Sequence, residues 1–107
     1  MYYELARRCV LATAGSPGYS PPVSMEGANA ARIEYIIFSI SGTSTFYLEG
    51  SNDGENWFAI ATYTTRSAVG SYTDASTGIS YRYVRVKYEQ TTSGTTIFAC
   101  GCNTAQL

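Results

Sequence analysis

Histidine is absent from this chain, lysine occurs once, and only 14% of the 107 residues are charged. Losing histidine removes the commonest general base and the commonest metal ligand together. Seven Lys plus Arg against eight Asp plus Glu leave a net charge of −1. That balance gives no basic footprint for nucleic acid or an anionic membrane. No apolar run approaches the roughly 18 residues of a helical membrane span. Arg7-Arg8 ahead of Cys9 to Ala12 imitates an export signal, with Ala12-Thr13-Ala14 as a mock cleavage site. The apolar stretch is nevertheless shorter than the ~7–15 residues such a signal needs, and Glu4 sits where its positive segment belongs. The chain therefore reads as made in a cytoplasm without a signal peptide. Catalytic machinery is equally scarce: Glu26, Glu34 and Glu49 are general acids only by default, so no enzyme and no cofactor are expected.

Cysteine is sparse and odd in number, with Cys9, Cys100 and Cys102. A disulfide framework wants an even count, and Cys100-Gly101-Cys102 is not the C-x-x-C of a zinc or redox site. Three thiolates lack a fourth ligand, so no metal is expected. The thiols read as small buried apolar groups on terminal strands. The alternative is a disulfide from Cys9 to Cys100 or Cys102.

Apolar residues make up 45% of the chain, which excludes a disordered tail, and the length suits one domain. All three prolines fall in the segment Ala14 to Pro22. Residues 1–31 thus read as a first strand (about 3–13) and a Pro/Ser-rich extended arm, with at most one helical turn over 24–31. From 32 to 107 the pattern is β throughout. Arg32 to Ser41 is rich in β-branched and aromatic residues, and its alternation slips at Ile36-Ile37, which predicts a bulge or a strand buried on both faces. Thr45 to Ser51 and Trp57 to Thr64 flank Asn52-Asp53-Gly54-Glu55-Asn56 as a hairpin. A short edge strand is expected near 70–73. Tyr81 to Glu89 alternates strictly, with Val84 and Val86 on one side and Tyr81, Tyr83, Arg85 and Lys87 on the other. Thr95 to Cys102 is the last strand. The fold class is all-β, a single-domain β-sandwich or jelly roll with an N-terminal extended arm.

The stretch Phe46 to Ile60, with its Ser51-Asn52-Asp53-Gly54 turn and Trp57, is followed by Tyr81-Arg82-Tyr83-Val84-Arg85-Val86. This pair of motifs, about 40 residues in all, resembles the discoidin (coagulation factor 5/8 type C) jelly-roll pattern. The Ser-Asn-Asp-Gly-x-x-Trp signature is also similar to that of small structural proteins of tailed bacteriophages. The resemblance implies a jelly roll in which Trp57 packs over the hairpin end with Val84 and Val86 beneath it. The family's sugar or lipid site transfers to no position here, because its loops correspond to the Pro/Ser arm.

Two constellations remain. The oxygen-rich loop at Asn52, Asp53, Glu55 and Asn56 has too few carboxylates for calcium and reads as turn chemistry. Ten tyrosines are the most informative excess, because tyrosine suits interfaces and sugar stacking. Tyr81, Tyr83, Arg85 and Lys87, joined by Tyr19, Pro21 and Pro22 of the arm, form the expected docking surface. These features point to a viral structural protein, a bacteriophage capsid-decoration (cement) or minor virion protein located in the virion. Its partner would be the major capsid protein or another virion protein, with homo-oligomerisation, a trimer for instance, and neither nucleic acid nor membrane. The alternative is a discoidin-like carbohydrate-binding module with an exposed aromatic, Trp57 or Tyr72, among its loops.

Overall fold

The computed structural model describes all 107 residues. It contains nine strands and no helix: β1 (Tyr2–Leu11), β2 (Gly18–Tyr19), β3 (Val23–Ser24), β4 (Ala30–Ile40), β5 (Ser44–Ser51), β6 (Phe58–Thr62), β7 (Gly70–Ser76), β8 (Tyr83–Gln90) and β9 (Thr96–Ala105). One sheet runs β1-β9-β4-β7 and the other β2-β8-β5-β6, with β3 also on β8, and all strand pairs are antiparallel. Because β2 and β3 flank Pro21-Pro22 on the same neighbour, they are one interrupted strand. Counted so, the eight strands have the jelly-roll order, the chain changing sheet at every step except the β5–β6 hairpin. The expected β-sandwich is the architecture of the chain.

Period-2 side chains explain the layering. Ile33, Tyr35 and Ile37 of β4 face Phe46 and Leu48 of β5 and Val84 and Val86 of β8, all essentially sealed from solvent. Phe98 completes this core. Tyr35 stacks on Phe46 at 4.2 Å, Phe46 meets Phe98 edge-on at 5.0 Å, and Phe98 meets Tyr88 at 4.9 Å. This aromatic chain bridges both sheets, and truncating a ring of this kind to alanine costs about 3–5 kcal/mol.

Residues 14–25 run along the chain's own β8 rather than reaching away, and Ala30 and Ala31 already belong to β4. Proline removes the N–H groups that would continue the ladder, and the bonding to β8 at the break is held by Ser20, which uses both its backbone N–H and its hydroxyl. Its N–H donates to the Val86 carbonyl at 2.8 Å, and its hydroxyl accepts from the Val86 N–H at 2.9 Å. Val23 and Met25 enter the core, so the first 31 residues are part of the sandwich. The helical turn considered for 24–31 is instead a tight turn at Glu26 and Gly27, where φ is 48° and 84°. Alternation runs unbroken through Ile36-Ile37, which puts Ile36 and Phe38 on the outer face with Ile37 inward, and the expected bulge falls one residue later, between Ile37 and Ser39.

Candidate functional site

The outer face of the five-stranded sheet is built by alternation. With Val84, Val86 and Tyr88 inward, Tyr83, Arg85, Lys87 and Glu89 point outward, and Tyr47 and Glu49 of β5 join them across the ladder. Tyr19 pairs with Lys87 and brings its ring to the same face. The Arg85 guanidinium carbon lies 4.0 Å from the Tyr19 ring centroid and 4.3 Å from that of Trp57. Arg85 Nε donates to Glu49 Oε1 at 2.8 Å, and these two side chains are only 21% and 16% exposed. Lys87 Nζ sits 4.8 Å over the Tyr47 ring, whose hydroxyl donates to Glu89 Oε1 at 3.1 Å. Burial and the Glu89 carboxylate both raise the Tyr47 phenol above its ordinary value. Cations and carboxylates cancel locally, which leaves an aromatic face with little net field.

Most of the expected docking residues meet here: Tyr19, Tyr83, Arg85 and Lys87 share this face. Pro21 and Pro22 are exposed at its edge beside β8. Tyr81 is corrected. It lies ahead of β8 and stacks on Phe58 at 6.2 Å, and it packs over Gly50, where an added Cβ would collide with its ring. Because Gly50 belongs to the inward side of β5, Tyr81 closes one end of the core. Trp57 is corrected too. It stacks on Arg85 on the outer face, whereas Val84 and Val86 lie beneath the sheet.

Tyr72 does not join Trp57. It is on the inward side of β7 in the other sheet, where its hydroxyl donates to the Ala68 carbonyl at 2.7 Å and Arg66 covers its ring at 4.2 Å. The two aromatics therefore form no shared sugar platform. The alternative disulfide is absent as well: all three cysteines are free. Cys9 stands opposite Phe98, while Cys100 and Cys102 stand opposite Ala6 and Tyr3, so neither is the direct cross-strand neighbour of Cys9. Burial pushes the Cys100 thiol up to about 12 and the Cys102 thiol up to about 11. The Asp53 carboxylate accepts the N–H groups of Asn56 at 2.8 Å and Glu55 at 2.9 Å and the Asn56 side-chain amide at 2.7 Å. Those donors hold it well below the usual carboxylate range and explain the loop as a turn.

Two features went unseen in the sequence. Arg66, in the loop after β6, donates to the Tyr35 hydroxyl at 2.9 Å and lies 3.5 Å from Asp74, to which Tyr35 donates at 2.8 Å. Burial is the main reason the Tyr35 phenol rises to about 12. This network closes the side of the sandwich between β6 and β7. The second feature is the outer face of the four-stranded sheet. Tyr2, Val10, Ile36 and Phe38 are 54%, 57%, 45% and 43% exposed there, with Ile97 and Ala99 between them by register. Arg8 lies 4.4 Å over the Phe38 ring. Gly101 leaves room for the hydroxyl end of the Tyr2 ring over β9, bordering a groove of about 520 Å³. The alternation slip near Ile36 was its only signal.

The fold and these faces define the molecule as a jelly-roll sandwich with two aromatic or apolar outer surfaces. No protein-family model matches the chain, and no curated protein matches it in sequence. Among solved structures it is similar to that of the PBSX exported protein XepA, with a TM-score of 0.76 over 100% of this chain. Sequence identity is 15%, and the chain spans 37% of the length of that protein. This likeness establishes a shared fold.

Proposed function

We propose that this chain is a structural protein of a phage particle, a capsid-decoration or minor virion protein that acts by contact and catalyses nothing. The observation that carries the reading is the apolar outer face of the four-stranded sheet. Val10, Ile36 and Phe38 remain roughly half exposed on a rigid surface, and contiguous apolar surface of this kind marks protein–protein interaction. The phage-associated XepA supports the setting, since its fold covers the whole of this chain. Docking against the major capsid protein or another virion protein would remove this face from water at ~25 cal/mol per Å² before association costs. Repetition over many symmetric copies would multiply the effect.

The test is deletion of the gene from a phage that carries it, read by heat and osmotic stability of the particles. The reading expects labile particles, restored by the wild-type chain and not by Ile36→Asp/Phe38→Asp. Particles of normal stability that contain no copies of the chain would overturn it.

A further inference from the structure

A jelly roll leaves four strand edges, and three of them are guarded. Along β1 the pairing shifts register twice, between Glu4 and Ala6 and between Ala6 and Cys9, and Arg7 and Arg8 lie within the second shift. The β2–β3 edge is broken by Pro21-Pro22, which have no N–H to offer. The β6 edge is five residues long and shifts register against β5 between Leu48 and Glu49. On β7 there is no bulge, proline or shortened span, and its one charge, Asp74, is taken up inside by Tyr35 and Arg66. Its seven residues hold unbroken register with β4, from Ala31↔Ser76 to Ile37↔Gly70. The strand carries no proline, lysine or arginine, and its backbone pairs with β4 alone. Its outward side chains Ser71, Thr73 and Ala75 are small and exposed. An edge like this is a template for a further strand.

We propose that β7 pairs antiparallel with β7 of a second copy, across a two-fold axis at Thr73. The strand is self-complementary in that register. Thr73 faces Thr73, Ser71 faces Ala75 of the other copy, and Tyr72 faces Asp74, so no like charges oppose one another. Cross-strand threonine pairs are favourable, and Arg32 Nη1, which donates to Thr73 Oγ1 at 3.2 Å, steadies that side chain on the outer face. The contact is isologous and closes on itself. It joins two four-stranded sheets into one continuous sheet and doubles the apolar face that each copy presents. The contact makes a dimer, where the sequence reading named a trimer as one form of homo-oligomer, and it does not depend on the virion reading.

Sedimentation velocity over a concentration series tests it with the full chain and two double variants. Ser71→Lys/Ala75→Lys sets like charges against each other twice across the axis, whereas Ser71→Lys/Ala75→Glu sets opposite charges there. The wild type is expected to dimerise, the first variant to stay monomeric, and the second to dimerise roughly tenfold more tightly than the wild type. Circular dichroism reports whether each variant folds. If the first does not, an equimolar mixture of Thr73→Lys and Thr73→Glu replaces it and is expected to give one-to-one heterodimers. A wild-type chain that stays monomeric, a trimer, a dimer indifferent to Ser71→Lys/Ala75→Lys, or the absence of heterodimers in the mixture would each overturn the proposal.

Discussion

Arg85 sits over Trp57, its guanidinium carbon 4.3 Å from the ring centroid, while the same group is bonded to Glu49 at 2.8 Å. This contact fastens the start of β6 to β8, and the Tyr19 ring, also against Arg85, fastens β2. Removing the guanidinium strands the largely buried Glu49 carboxylate and separates both rings from their cation. Arg85→Ala should therefore lose about 2 kcal/mol. Arg85→Lys should recover less than half of that, because an ammonium has no planar surface to stack. Chemical denaturation of the three proteins measures both values.

The thiols give a second expectation. Cys9 is half-buried, while Cys100 and Cys102 are buried and hold their protons well into the alkaline range. A thiol-reactive chromophore at mildly alkaline pH should modify Cys9 in the native protein and all three cysteines after denaturation. A reductant should leave Tm unchanged. Recovery of a single reactive thiol from the denatured, unreduced chain would reinstate a bridge.

Alkali should weaken the fold early. Burial raises Cys100, Tyr35 and Tyr88 to about 12 and Cys102 to about 11. Each neutral form is therefore favoured by folding. The stability these groups contribute is complete below the ordinary thiol and phenol values and is lost as pH rises through the folded ones. Unfolding free energy should fall between about pH 9 and pH 12. Cys100→Ala/Cys102→Ala should flatten the first part of that decline.

Acid acts on the hairpin turn with the opposite sign. Backbone N–H groups of Asn56 and Glu55, then the Asn56 amide and the Ser51 hydroxyl, depress Asp53. Its contribution is present above the ordinary carboxylate value and lost only as pH falls through the lower folded one. The Glu55 and Asn56 amide proton shifts should hold constant down to about pH 3, below the ordinary Asp value of about 3.9. Asp53→Ala should abolish them at every pH.

Local pattern carried the sandwich. The strict alternation of β8 and the Asp53-Gly54 turn are short-range signals, and each is where the structure puts it. Residues at strand ends were less legible. Trp57 and Tyr81 lie just outside β6 and β8, so their faces are set by a register shift and by the hole at Gly50 rather than by period. The interrupted strand was hidden by Pro21-Pro22, which lack donors, while the ladder beside them is kept by Ser20, whose N–H donates to Val86 and whose hydroxyl accepts from it. Arg66 meets Tyr35 and Asp74 only once two sheets have closed, and no spacing in the chain announces that. The exposed row around Ile36 and Phe38 looked like core because composition cannot tell an apolar face that is covered from one that awaits cover.

The first strand hydrogen-bonds to the last, with Tyr2 opposite Asn103 and Leu11 opposite Thr96. A nascent chain therefore cannot complete its four-stranded sheet on the ribosome until the final strand has emerged. Until then β4 holds its apolar side chains without the neighbour that separates it from β1, and the unfinished molecule is at its stickiest. Closure over so long a loop places folding on the slow side for a domain this small, in the millisecond-to-second range, so yield during rapid synthesis is governed by how many half-made copies meet one another first.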